Sequence, residues 1–177
     1  MMGRVMVAII VVAALITGAS IYYLQVYAYY DTLSSPGPDG VTLVATDATD
    51  PLSLPVRDFQ GIDSDSSPIR YRACFVTDPA APALVRAELY PNAEPRVAPG
   101  WFDCFDAAAI GAAIEDGTAR AYLAVRDVHY GIDRVAAILP DGRGFEWHQI
   151  NRCGEVVFDG QPAPDDCPPP PDGTARQ

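Results

Sequence analysis

Three groups of side chains have the types and spacing that chemistry needs. Asp127, His129 and Asp133 lie close together where one β-like segment ends and the next begins. Glu146 and His148 are two residues apart, so in a strand they share one face. A carboxylate beside an imidazole can do acid–base work near neutral pH. Arg70 and Arg72 are also two apart, and two guanidinium forks on one strand face would grip a carboxylate in bidentate fashion. The competing reading is a polar hairpin, and it is preferred, because no serine or cysteine is placed beside the histidines as a nucleophile. Asp133 and Arg134 read as a neighbouring charge pair that, exposed, would stabilise little.

The four cysteines, Cys74, Cys104, Cys153 and Cys167, offer no Cys-x-x-Cys, no haem-attachment motif and no zinc spacing. With only His129 and His148 to supplement them, neither a metal site nor a cofactor is expected. An even count reads as two disulfides in an oxidising compartment. Three connectivities are open. Cys74 with Cys104 and Cys153 with Cys167 is preferred, because the first would fasten a helix start to a strand and the second would tie a proline-rich tail to the region before it. The turn Asp63–Ser64–Asp65 has the opening spacing of a calcium loop but lacks the glycine and the later glutamate, so it reads as a solvated turn.

Composition removes further classes of function. The chain has 177 residues, 23 acids and 12 basic residues, all of them arginine, for a net charge of −11. Without lysine there is no Schiff base, phosphate-loop lysine or kinase lysine. The acidic balance argues against nucleic acid as a partner.

The element that must carry everything else is the N-terminal block. Val5 to Tyr30 is 26 residues without a charge. As a helix it would reach roughly 39 Å, more than the ~30 Å hydrocarbon core of a bilayer. The surplus falls where Tyr22, Tyr23, Tyr27, Tyr29 and Tyr30 gather, as an interfacial aromatic belt requires. A cleaved signal peptide is the alternative, with Val26-Tyr27-Ala28 as its cleavage site. The run is about twice a typical ~7–15-residue apolar region, however, and bulky tyrosines crowd the site, so a retained anchor is expected. Met1 and Arg4 bring positive charge before the span, and Asp31, Asp39, Asp47 and Asp50 follow it. The positive-inside rule therefore places the N-terminus in the cytoplasm of a bacterium and the rest in the periplasm. Ala14 and Gly18 form a small-xxx-small pair that would let another helix approach.

Four regions are expected: cytoplasmic N-terminus and anchor over 1–30, a periplasmic stalk over 31–53, a disulfide-stapled α+β domain over 54–160, and a proline-rich tail over 161–177. Within the stalk, 41–45 is a short strand candidate. Residues 69–76 alternate as a strand with Tyr71, Ala73 and Phe75 on one face and Arg70 and Arg72 on the other. Residues 83–90 fit either a strand or an irregular arm. A helix is expected over 103–115, capped by Asp103 or Asp106 and ended by Gly117, followed by β-like segments at 119–128, 132–139 and 144–150. The expected fold is an antiparallel meander with one helix laid across a face and a tail that is extended or disordered beyond Cys167. Trp101, Phe102 and Trp147 read as core or interface aromatics.

The stretches Gly100-Trp101-Phe102-Asp103-Cys104-Phe105-Asp106, Tyr130-Gly131-Ile132-Asp133-Arg134-Val135 and 147–162 resemble an alphaproteobacterial family of small single-pass proteins filed as a domain of unknown function. The resemblance implies an anchored architecture and brings no activity or catalytic residues. Members are sometimes labelled histidine kinases, which this sequence does not support, since it lacks glycine-rich nucleotide boxes. The resulting expectation is a non-enzymatic accessory, assembly or interaction subunit of a larger inner-membrane complex, a respiratory one among the candidates. Its partners would be the lipid bilayer and a membrane protein, attracted in part by the acidic outer field. The alternative is a periplasmic enzyme or small-ligand binder using the Arg70/Arg72 face with His129 or His148.

Overall fold

The computed structural model describes residues 2–47 and 50–171, so Met1 and residues 172–177 of the expected tail lie outside the described residues. The uncharged block forms helix α1, Met2–Tyr23, none of whose residues is buried, and continues as a π-helical turn, Leu24–Ala28. These 27 residues are long and apolar enough to cross a membrane.

The chain then enters a sheet at once. Strands β1 (Asp31–Leu33), β4 (Val56–Asp63), β5 (Arg72–Thr77), β6 (Arg120–His129), β7 (Ile132–Ile138) and β8 (Arg143–Ile150) form one antiparallel six-stranded sheet in the order β1-β4-β5-β8-β7-β6. Strands β2 (Val41–Leu43) and β3 (Leu52–Leu54) pair as a separate two-stranded sheet. Among the described residues there are also helices α2 (Pro82–Arg86), α3 (Ala107–Glu115) and α4 (Arg152–Phe158), besides α1. This is the expected α+β arrangement, with the β6-β7-β8 meander forming one half of the large sheet out to its β6 edge.

Alternation decides what each face of the large sheet meets. Phe75, Tyr122, Ala124, Ala136 and Ile138 pack beneath β2, β3 and α2. Cys74, Ala121, Val135, Ala137, Phe145 and Trp147 pack beneath Phe102, Phe105 and Ile110 of the α3 region. Both faces are covered, so the domain has three layers. The segment expected as a stalk is therefore part of the packed domain: Val41 and Leu43 are buried, and Val44 N–H donates to the Leu123 carbonyl at 2.9 Å. Its apolar residues were too few to read as core because they complete a core supplied mostly from elsewhere. Residues 83–90 are neither simple alternative. They start as α2, with a proline at the first helical positions, and then run extended along β6, bridging Leu89 to Tyr122. Helix α3 begins four residues later than expected, at Ala107, because Asp106 caps it by accepting from Ala108 and Ala109 N–H.

Two glycine positions are required by geometry. Gly142, at φ +86°, turns the chain between β7 and β8 inside the Pro-Asp-Gly sequence, where Asp141 accepts from Arg143 N–H. Gly131, at φ +74°, lies against Gly154 of α4 so closely that a Cβ on either would overlap the other's backbone. Asn151 caps α4, and the tail folds back beside it: Arg152 pairs with Asp166, and Tyr130 donates to the Pro168 carbonyl at 2.9 Å. Through Pro168 the tail is thus extended but docked.

The cysteines pair as Cys74–Cys104, with Cα atoms 6.3 Å apart, and Cys153–Cys167, at 5.8 Å. The first bridge holds the arm before α3 onto β5, and the second holds the tail onto α4. Non-reducing peptide mapping should recover these two linked pairs and no crossed ones. Replacing Cys74 and Cys104 together with alanine should cost about 2–4 kcal/mol of stability. An unchanged melting temperature would show that the arm is held without the bridge.

Candidate functional site

The residues singled out in the sequence separate into three places. The strand pairing sets this, because register decides which side chains become neighbours across a sheet. Arg134 of β7 stands opposite His148 of β8, and Ala136 opposite Glu146. Arg134, Glu146 and His148 therefore share a face, together with Tyr71 just before β5. Arg72 pairs in register with Trp147 and lies on the opposite face. Arg72 and His148 therefore do not share a pocket on one face.

On the first face Tyr71 is the centre. Its hydroxyl donates to Glu146 Oε2 at 2.9 Å, its ring stacks on His148 with centroids 4.7 Å apart, and the Arg134 guanidinium carbon lies 4.1 Å from its ring centroid. Arg134 Nε donates to His148 Nε2 at 3.1 Å, and His148 Nδ1 lies 2.6 Å from the Pro68 carbonyl. An imidazole that accepts at Nε2 and donates at Nδ1 is neutral, with its proton on Nδ1. Burial pushes His148 down to about 4, helped by the Arg134 charge. Burial pushes Glu146 up to about 7, against the pull of Arg134 and the Tyr71 hydrogen bond, and Tyr71 is raised well above its ordinary value by the same desolvation. Tyr71 and both His148 nitrogens are hydrogen-bonded within the group or to the Pro68 carbonyl, which makes it a buried network that fixes the faces of β5, β7 and β8.

His148 edges a cleft of about 530 Å³ that also takes in His129, Tyr130, Asp63, Asp65 and Pro171. The two histidines are thus brought to one cleft, as the ligand-binding alternative needs. His148, however, is only 4% exposed and both its nitrogens are engaged. Among the described residues no three His, Cys, Asp or Glu side chains are grouped to hold a metal ion.

Asp133 and Arg134 do not pair with each other, since adjacent strand residues point to opposite faces. Asp133 accepts from Tyr90 Oη at 3.1 Å, Asp127 N–H at 2.9 Å and Asn151 Nδ2 at 2.9 Å, and Asn151 Nδ2 also reaches Asp127 Oδ1 at 3.1 Å. Asp127, at φ +48°, in turn accepts from Gly131 N–H. His129, exposed, takes no part. This group locks the β6–β7 hairpin to the start of α4.

The third place is the junction with the anchor. Trp101 Nε1 donates to the Val26 carbonyl at 2.6 Å, its ring stacks on Tyr27 at 6.2 Å and meets Tyr30 edge-on at 5.8 Å. Tyr22 and Tyr23 each pack on Tyr27 in turn. The five belt tyrosines thus have a sixth aromatic supplied by the domain. Arg72 holds the arm that carries Trp101: it donates to the carbonyls of Arg96 at 2.7 Å and Ile69 at 2.8 Å and lies over the Phe105 ring. Burial lowers it to about 10, which leaves it protonated at neutral pH. Nothing in the local spacing of Trp101 marked it as the anchor's partner, because the contact spans 75 residues. Far from this junction, a groove of about 630 Å³ beside α2 leaves Val85 and Leu89 exposed.

A family model described as a family of unknown function (DUF6446) matches residues 41–168, which takes in the domain from β2 to the docked tail and leaves out α1 and β1. No curated protein matches the chain, and no solved structure does.

Glu146 sets a pH dependence whose sign is fixed. Its folded pKa, about 7, is above the ordinary 4.5, so the folded state prefers the protonated form and loses stability as pH rises from 4.5 through 7. Gln at this position does not titrate. The stability of Glu146→Gln relative to the wild type should therefore improve between pH 5 and pH 8, by up to about 3 kcal/mol. Thermal melts at the two pH values check this, and a constant difference would mean that Glu146 does not titrate in that window.

Proposed function

The chain belongs to the family of unknown function DUF6446, and from its architecture we propose a non-catalytic role as an accessory, assembly or interaction subunit of a larger complex in the bacterial inner membrane. In this reading α1 is retained as a single-pass anchor, Arg4 lies on the cytoplasmic side and the disulfide-bonded domain faces the periplasm. The positive-inside distribution and the two disulfides support that orientation.

The observation that carries the proposal is the junction itself. Two residues, Tyr29 and Tyr30, separate the end of the π-helical turn from the first strand, and Trp101 reaches back to Val26, so the domain has a fixed seat on its anchor in place of a flexible tether. A rigid seat suits a subunit that must present a surface at a set height and orientation beside a neighbour. The anchor keeps all its sides free, with open space around Gly18 for a partner helix. On the domain, the exposed Val85 and Leu89 and the excess of acids supply apolar and charged surface for contact. The polar groups offer little to a substrate: His148 and Glu146 are buried and satisfied by each other's neighbours. A respiratory complex is one such assembly.

The test is purification of the full chain through a C-terminal tag in mild detergent, followed by mass spectrometry. An integral membrane protein should co-purify reproducibly. Recovery of the chain alone from cross-linked and uncross-linked membranes would overturn the proposal.

A further inference from the structure

An acidic domain gives its arginines many carboxylates to pair with, and Arg57, Arg86, Arg126, Arg143 and Arg152 each hold one. Arg70 is different. Among the described residues it has no carboxylate partner; its guanidinium carbon lies 5.4 Å from the Tyr30 ring centroid, and its Nη1 is buried without a hydrogen-bond acceptor. A buried cationic donor left without an acceptor is costly, so such a group points to something that is missing. Arg96, exposed on the arm that Arg72 clamps, also has no carboxylate partner among the described residues.

The position of Arg70 says what is missing. Tyr30 meets Trp101, and Trp101 is bonded to Val26 near the end of the 27-residue apolar helix. At ~1.5 Å per residue that helix exceeds a ~30 Å hydrocarbon core by several residues. Its last turns, with the tyrosines, therefore lie among the lipid headgroups, and Arg70 lies at the same level. We propose that Arg70, lying over Tyr30 where that ring meets Trp101, binds the phosphodiester of a phospholipid headgroup in the outer leaflet, with the exposed Arg96 adding positive charge to the same side of the domain. A guanidinium fork matches phosphate oxygens in geometry and charge. Rotation of the side chain off the Tyr30 ring would turn the unpartnered Nη1 toward such an oxygen. Asp31 and Asp63, which pair in register at this edge of the sheet, oppose an anion. They weaken capture of a free phosphate, so binding depends on the high local concentration that a lipid already in the bilayer provides.

The inference rests on the reading of α1 as a retained anchor, and native mass spectrometry of the full chain from nanodiscs separates the two. The probe is phosphatidylglycerol in a phosphatidylcholine background, with Arg120→Gln, on the opposite edge of the sheet, as control. Wild type and Arg120→Gln should retain bound phospholipid, and Arg70→Gln should lose about tenfold of it, the effect of one charge-assisted pair. Arg96→Gln, at an exposed position that folding does not need, should lose part of it and keeps the test valid if Arg70→Gln misfolds. Equal retention by all four proteins would overturn the proposal. Displacement of the lipid by millimolar inorganic phosphate would overturn its lipid source and leave a free-anion site. An intact mass lacking the first 28 residues would overturn the anchored reading and this proposal together.

Discussion

The Trp101–Val26 hydrogen bond is the contact on which the arrangement of the whole molecule depends. A helix ends with carbonyls that have no partner further along the chain. For a helix that leaves a bilayer these ends stand among the lipid headgroups, where each carbonyl takes its donor from water, lipid or protein. The π-helical turn uses one such carbonyl internally, with Tyr29 N–H donating to Leu24, and the indole of Trp101 meets another. The junction is thereby both a cap and a seat. Its strength is borrowed from deeper in the domain, because Trp101 sits on an arm that Arg72 grips by its carbonyls and the Cys104–Cys74 bridge fixes to β5. Anchor, arm and sheet form one continuous path of contacts.

The sheet at the end of that path is covered on both faces and holds a polar network inside its apolar layers. Tyr71 bonds to Glu146 and Arg134 to His148, which also meets the Pro68 carbonyl, and removing a member would strand its partner as a buried unpaired group, which costs more than a surface contact is worth. The same registry that joins Arg134 to His148 sends Arg72 to the other face. Residues that look like a single site in the sequence therefore do two separate structural tasks. The aspartates of the β6–β7 hairpin do a third, holding backbone N–H groups in a turn where Asp127 adopts a left-handed conformation.

The parts legible in the sequence are those governed by local rules. The uncharged run, the belt of tyrosines, the Asp106 cap, the Pro-Asp-Gly turn and the three strands of the meander all follow from spacing along the chain. So does the separation of Tyr71, Ala73 and Phe75 from Arg72. The cysteine pairing was legible because each bridge joins segments that neighbour each other in the fold. What the sequence hid is set by contacts at long range. Val41 and Leu43 look like an island in a polar stalk until Leu123 and Phe75 are placed beside them. Strand β4 is interrupted by a bulge between Arg57 and Gln60, with Asp58 at φ +55°, which breaks its alternation. Helix α4 is short and opens on Asn151, a cap that the run of β-like residues before it obscured. The roles of Trp101 and Arg70 depend on the anchor lying next to residues far along the chain.

Seating of the domain at a membrane surface through Trp101 would bring that indole close to lipid. The chain has two tryptophans, and Trp147 is 0% exposed, so lipid-borne quenchers can reach only Trp101. The direct measurement is tryptophan fluorescence of the full chain in vesicles of phospholipid brominated at shallow or deep positions of the acyl chain. The account predicts strong quenching by the shallow bromines, weaker quenching by the deep ones, and none of either in Trp101→Phe. Wild-type emission unaffected by bromine at any depth would show that Trp101, and the domain with it, stands away from the bilayer.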